Sequence, residues 1–156
     1  MKINTLDFDL GTYGAEDDTL GISVSIDGVP WNDGSPRLGM SDLVALAVPI
    51  EQNCRFVAFN TCSCGVAGCS NDDEFEMTID DGVITILDGD KQLYKFNQSA
   101  VRESALDVLD DALRVHHLYP RMYGFDYYYE HIVTGDGSPL QNYISYIIKT
   151  IKDNPL

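Results

Sequence analysis

The order of apolar and polar positions divides the chain into a strand-rich first half and a helical second half. Leu20, Ile22, Val24 and Ile26 alternate with Gly21, Ser23 and Ser25, the period-two pattern of a half-buried strand. Asp27-Gly28 supplies residues that tolerate positive φ in a tight hairpin turn, and Val29-Pro30-Trp31 begins the returning strand. Pro30 has no amide to donate, so that return is expected to be short or at a sheet edge. Asn32 to Gly39 has the composition of a loop. Ser41 is then a candidate cap for a short helix through Asp42-Leu43-Val44-Ala45-Leu46, ending before Pro49.

A meander follows. Cys54 to Cys64 reads as a long strand, with Cys69 to Ile79 as its antiparallel partner across Gly65-Val66-Ala67-Gly68. Asp80-Asp81-Gly82 turns the chain into Val83-Ile84-Thr85-Ile86-Leu87, and Asp88-Gly89-Asp90-Lys91 turns it again into Leu93-Tyr94-Lys95-Phe96. Three turns at such spacing predict one antiparallel sheet. From Ser99 to Leu118, Val101, Ala105, Val108, Leu109, Ala112 and Val115 recur at helical spacing, with Glu103, Asp107, Asp110 and Asp111 mostly on the other side. Ser138-Pro139-Leu140-Gln141 is a capping box, and the stripe Leu140, Tyr143, Ile144, Ile147, Ile148 and Ile151 that follows must bury against something, the sheet being the natural choice. Between the helices, Tyr127 to Thr134 is β-prone. The expected fold class is α+β: an antiparallel sheet, built from the N-terminal hairpin and the central meander, with two main helices in the C-terminal half packed on one face. At 156 residues, one domain over residues 1–156 is the default.

Composition adds class and charge to this outline. An apolar share of 44% is that of a globular protein, and no stretch approaches the ~18 apolar residues that a membrane span needs. The opening Met1-Lys2-Ile3-Asn4-Thr5-Leu6-Asp7 carries acid where a signal peptide has its apolar core, so the expected location is cytoplasmic, with no membrane partner. Ten Lys and Arg against 25 Asp and Glu give a net charge of −15. Such a surface repels nucleic-acid backbones and attracts basic protein surfaces, although plain solubility explains the acidity as well. The densest acid lies in Asn71-Asp72-Asp73-Glu74-Phe75-Glu76, followed by Asp80-Asp81. Asp72, Asp73, Glu74, Glu76, Asp80 and Asp81 are therefore the candidate partner-binding residues; the competing role for charges at a sheet edge is to block strand-to-strand aggregation.

The chain has four cysteines, and Cys62, Cys64 and Cys69 fall within eight residues. A separation of two on one strand puts Cys62 and Cys64 on the same face, and a hairpin would bring Cys69 within ~4.5–8 Å of them at Cβ. Cys54 is ~26 Å of extended chain away from Cys62. A closed zinc site at Cys62, Cys64 and Cys69 would thus need a ligand such as His116, His117, His131 or a carboxylate. A Cys64–Cys69 disulfide or redox pair is disfavoured in a reducing cytosol. The third reading treats the thiols as compact, reduced apolar residues at a glycine-shaped turn. Cys62, Cys64, Gly65, Gly68 and Cys69, with the Ile22–Pro30 hairpin and Tyr94-Lys95-Phe96-Asn97 running into a helix, resemble small bacterial proteins that carry a strand, C-x-C-G-x-x-G-C and a second strand. The resemblance spans Leu20 to Asp111 and implies an arrangement of elements, with no activity attached. Here the strand after Cys69 opens with acid, where that group is more often apolar.

Catalytic signatures such as G-x-S-x-G, G-x-x-x-x-G-K and H-E-x-x-H are missing from the sequence. Asp88-Gly89-Asp90 lacks the later ligands of a calcium loop and reads as a turn. His116-His117 best suits a helix C-terminus, and Tyr127-Tyr128-Tyr129 a half-buried strand. The expected function is a non-enzymatic, acidic, inhibitor or immunity-type protein masking a basic toxin, nuclease or nucleic-acid-binding protein. The alternatives are a zinc-stabilised module with incidental acidity and a thiol enzyme. A three-thiol zinc site predicts about one zinc per chain by elemental analysis and a melting temperature lowered by chelator; reduced, unligated thiols predict neither.

Overall fold

The computed structural model describes residues 2–13, 19–48, 55–59, 74–119, 121–122 and 138–156. It is an α+β fold of two small sheets and three α-helices. In the first sheet β1 (Leu6–Tyr13) pairs antiparallel with β2 (Thr19–Ile26), which pairs in turn with the short β3 (Val29–Pro30). The two-residue β8 (Arg121–Met122) joins β2 in parallel. The second sheet is a meander of β4 (Arg55–Ala58), β5 (Glu74–Asp80), β6 (Val83–Asp88) and β7 (Lys91–Asn97), all antiparallel and in sequence order. Its first strand ends at Ala58, short of the expected Cys64, and the expected loop at 65–68 lies outside the described residues. One turn in each sheet, Asp27-Gly28 in the first and Asp81-Gly82 in the second, holds positive φ at two successive residues, as two-residue hairpins require.

Hairpin and meander are therefore separate sheets rather than one, and a single residue stitches them together. Asn4 forms an isolated parallel bridge with Phe96. Its amide donates to the Lys95 carbonyl at 2.6 Å, and its Oδ1 accepts from the Lys95 amide at 3.0 Å. Its Nδ2 donates to Asp27 at 2.7 Å, while the other Asp27 oxygen accepts from the Thr5 amide at 2.8 Å. The Thr5 amide, then the Asn4 side chain, with Lys2 adding its charge, holds the Asp27 carboxyl below its ordinary pKa. That contribution to stability is present above the unfolded-state pKa and is lost as pH falls through the lowered one.

The helices form where the apolar spacing places them. In α2 (Gln98–Val115), Val101, Ala105, Val108, Leu109 and Ala112 are buried, and Asn97 caps the helix by accepting from the Ala100 amide at 3.0 Å. A 3-10 turn over His116–Leu118 ends it, so the α-helix stops three residues before the expected boundary. In α3 (Pro139–Asp153), Ser138 accepts from the Gln141 amide with Pro139 at the first position, and all six residues of the apolar stripe are buried. That stripe meets chiefly α2 and α1 (Met40–Ala47), not a sheet. Ser41 is not the cap of α1: Gly39 stands there, with no side-chain bond, and the helix begins at Met40, two residues ahead of the expected Asp42, with Met40 buried. Trp31 likewise leaves the strand for a 3-10 turn, Trp31–Gly34, from which its ring meets Phe59, Phe75 and Tyr94 edge-on at centroid distances of 5.1, 5.9 and 6.4 Å.

Polar side chains of α2 finish the other two helices. The Arg102 guanidinium donates to the Ala47 carbonyl at the end of α1 and to the Ile151 and Asn154 carbonyls at the end of α3. A cation here satisfies orphan carbonyls and meets the negative ends of two helix dipoles. The buried Gln98 donates to the Val48 carbonyl at 3.0 Å.

Two substitutions test this account. A Cβ built on Gly21 would stand 2.3 Å from the Pro36 carbonyl oxygen, a backbone atom that cannot swing aside. Gly21→Ala is expected to cost about 2 kcal/mol in urea unfolding, at the scale of an overpacked core. Arg102→Ala should cost about 3 kcal/mol, since three carbonyls lose a charged donor. A loss under ~0.5 kcal/mol in either variant would contradict the contacts described.

Candidate functional site

Of the six acidic candidates, Asp72 and Asp73 lie outside the described residues. Glu74, Glu76 and Asp80 lie on β5 at even spacing, so they share one face of the strand, while Phe75, Met77 and Ile79 turn to the core. Asp81 sits in the β5–β6 turn at φ 50° and is exposed, off that face.

The register gives the carboxylates distinctive neighbours. Glu76 stands opposite Phe56 of β4 on one side and Leu87 of β6 on the other. Phe56 is 62% exposed, a large aromatic surface left in water, and Leu87 is half-buried. Asp80 faces Val83, and Thr78 faces Thr85, beyond which comes Lys95 of β7. The face is thus acidic along β5, apolar on both flanks, and basic only two strands away. Acid alone does not single it out. Asp7 and Asp9 of β1 are exposed, as are Glu103, Asp107, Asp110 and Asp111 of α2.

Cys62, Cys64 and Cys69, with Cys54, His131 and the tyrosines at 127–129, also lie outside the described residues. His116 and His117 occupy the 3-10 turn after α2, their rings 5.9 Å apart and nearly perpendicular. Among the described residues, no three His, Cys, Asp or Glu side chains gather closely enough to hold a metal ion. The Asp88-Gly89-Asp90 segment is the β6–β7 turn, with Gly89 at φ 60°.

One residue missed in the sequence is chemically the most unusual. Asp42, in the first turn of α1, is 2% exposed. One oxygen accepts from the Ala58 amide of β4 at 3.1 Å; the other has no hydrogen-bond partner among the described residues. Burial is the main cause that pushes its pKa from 3.8 up to about 6, helped by the charge of Glu74 and opposed by the Ala58 amide. Glu74 stands opposite Ala58 in the β4–β5 pairing. The signal was present in the spacing: Asp42, Ala45 and Leu46 share one helix face, and the latter two are core residues.

No family model, curated protein or solved structure matches the chain. No helix among the described residues is long and apolar enough to cross a membrane.

Asp42 sets a stability trend of known sign. Its folded pKa is raised, so between about pH 4 and 6 the native state binds more protons than the unfolded one. Stability from this group is full below the unfolded value, falls as pH rises through that window, and stays lost above it. Asp42→Asn should therefore gain on the parent protein as pH rises from 4 to 7. At about 1.4 kcal/mol for each pH unit between 3.8 and about 6, the gain is roughly 3 kcal/mol. Urea unfolding of both proteins at several pH values measures it; parallel stability curves would contradict the assignment. The trend carries the test, because the new amide nitrogen has a desolvation cost of its own at every pH.

Proposed function

We propose that this chain is a non-catalytic binding protein, of inhibitor or immunity type, that masks a basic surface on a toxin, nuclease or nucleic-acid-binding protein. The observation that supports the reading is the β5 face, where Glu74, Glu76 and Asp80 run beside exposed Phe56 and half-buried Leu87. Charge and apolar surface do different work in such a contact. A net charge of −15 raises the encounter rate with a cationic partner, and it acts from every side of the molecule. Lasting affinity needs a desolvated anchor, and an aromatic ring standing opposite a carboxylate suits a surface of lysine or arginine stems, which carry aliphatic chains beneath their charges.

The test separates the face from the overall charge. Protein captured at low salt from the cell of origin should carry a basic partner that elutes as salt rises. Phe56→Ser, and separately Glu76→Lys, should weaken that partner's affinity by about tenfold or more, the scale of one hot-spot contact. Asp107→Lys on α2 makes the same charge change elsewhere and should alter affinity by less than about threefold. Equal losses from Glu76→Lys and Asp107→Lys would reduce the interaction to net charge and remove the β5 face from the proposal.

A further inference from the structure

We infer that Asp42 is a proton-operated latch that holds α1 against the outer edge of β4, closed when the carboxyl is protonated and released when it ionises. The latch is a matter of geometry first. Among the described residues β4 pairs with β5 alone, and on its other side the Ala58 amide is met by Asp42. That bond joins α1 to the strand edge through a side chain held almost entirely out of water, with its second oxygen unpartnered among the described residues. An ionised carboxylate in that position keeps one hydrogen bond where it wants several, so water becomes the better host.

The charged groups around it leave the balance near neutrality. Glu74 of β5 opposes ionisation. The first turn of α1, where Asp42 sits, favours it through the helix dipole, as does the Ala58 amide. From α2, Arg102 is engaged with carbonyls at the other end of α1 and at the end of α3. A buried acid pushed up to about 6 changes charge between about pH 5 and 7, whereas the Lys95 and Phe8 edge amides are met by one neutral side-chain amide and one hydroxyl. Release uncovers the β4 edge and the backbone next to Phe56.

Amide hydrogen exchange reads the latch without any partner. Protection of the Ala58 amide, corrected for the intrinsic rate, should fall at least tenfold between pH 5 and 7.5. The Ile86 amide in the centre of the sheet should fall less. Asp42→Asn, whose Oδ1 can still accept from Ala58, should show flat protection across the range. Glu74→Gln, an exposed change, should move the midpoint to lower pH by removing the charge that opposes ionisation. Carboxyl carbon shifts of Asp42 in the parent protein supply the titration midpoint even where the Asn variant folds poorly. Ala58 and Ile86 losing protection in parallel would overturn the inference, because global loosening and not a local release would then explain the data. An Asp42 midpoint below pH 4.5 would overturn it as well.

Discussion

The burial of one helix against two sheets at once is the constraint on which the rest of the structure depends. Neither sheet is large enough to close a core, and each turns its apolar face to shared cover. Helix α2 packs on β1 and β7, one strand from each sheet, and on α1 and α3. Ala105 and Ala112, both wholly buried, let it approach closely where a larger side chain would hold the layers apart. Because α2 touches both sheets and both other helices, polar residues at its start and along it finish the contacts: Asn97 caps it, Gln98 and Arg102 close the ends of α1 and α3, and Ser104 reaches β1.

Those last contacts reveal how the sheet edges are managed. An open strand edge presents unpaired amides that invite another chain. Here three edges are each met by one polar side chain: the Phe8 amide of β1 by the Ser104 hydroxyl at 3.3 Å, the Lys95 amide of β7 by Asn4, and the Ala58 amide of β4 by Asp42. Serine and asparagine do this at constant charge. Aspartate does it with a group whose burial favours the neutral form, so the three seals differ in kind, and only the third is titratable. The contrast with Asp27 is instructive. The same residue type in the open, accepting from Thr5 and Asn4, is stabilised as the anion. Burial decides the sign.

Periodicity made most of the fold legible. The meander, its two aspartate–glycine turns and the buried stripes of α2 and α3 follow directly from apolar spacing and turn chemistry. Other features were carried by signals that alternation and capping do not rank. Leu6, Phe8 and Leu10 alternate with Asp7 and Asp9 as plainly as any strand in the chain, and β1 is the result. Trp31 looks like a strand residue, but a ring of that size gains more by packing on three aromatics of the other sheet. The separation into two sheets was not legible, since alternation within a strand does not say which edges pair, and the Asn4 bridge between the sheets has partners distant in sequence. The β5 carboxylates were found by composition; their apolar flank was not, because only the register brings Phe56 and Leu87 beside Glu76.

That register matters for any reading of the acidity. Carboxylates on β1, β5 and α2 make the molecule negative from several directions, so a cation approaching from afar is attracted without being told where to land. A landing site requires a local difference, and apolar surface is the difference available. On α2 the exposed acids stand on a helix whose apolar residues have turned inward. On the meander, β4 leaves its aromatic ring outside, next to the acid of β5. If long-range charge selects the class of partner, this mixture of ring and carboxylate selects the position. The strand that carries the ring is also the one whose Ala58 amide is met by the titratable Asp42, so the proposed binding face and the proposed latch share β4.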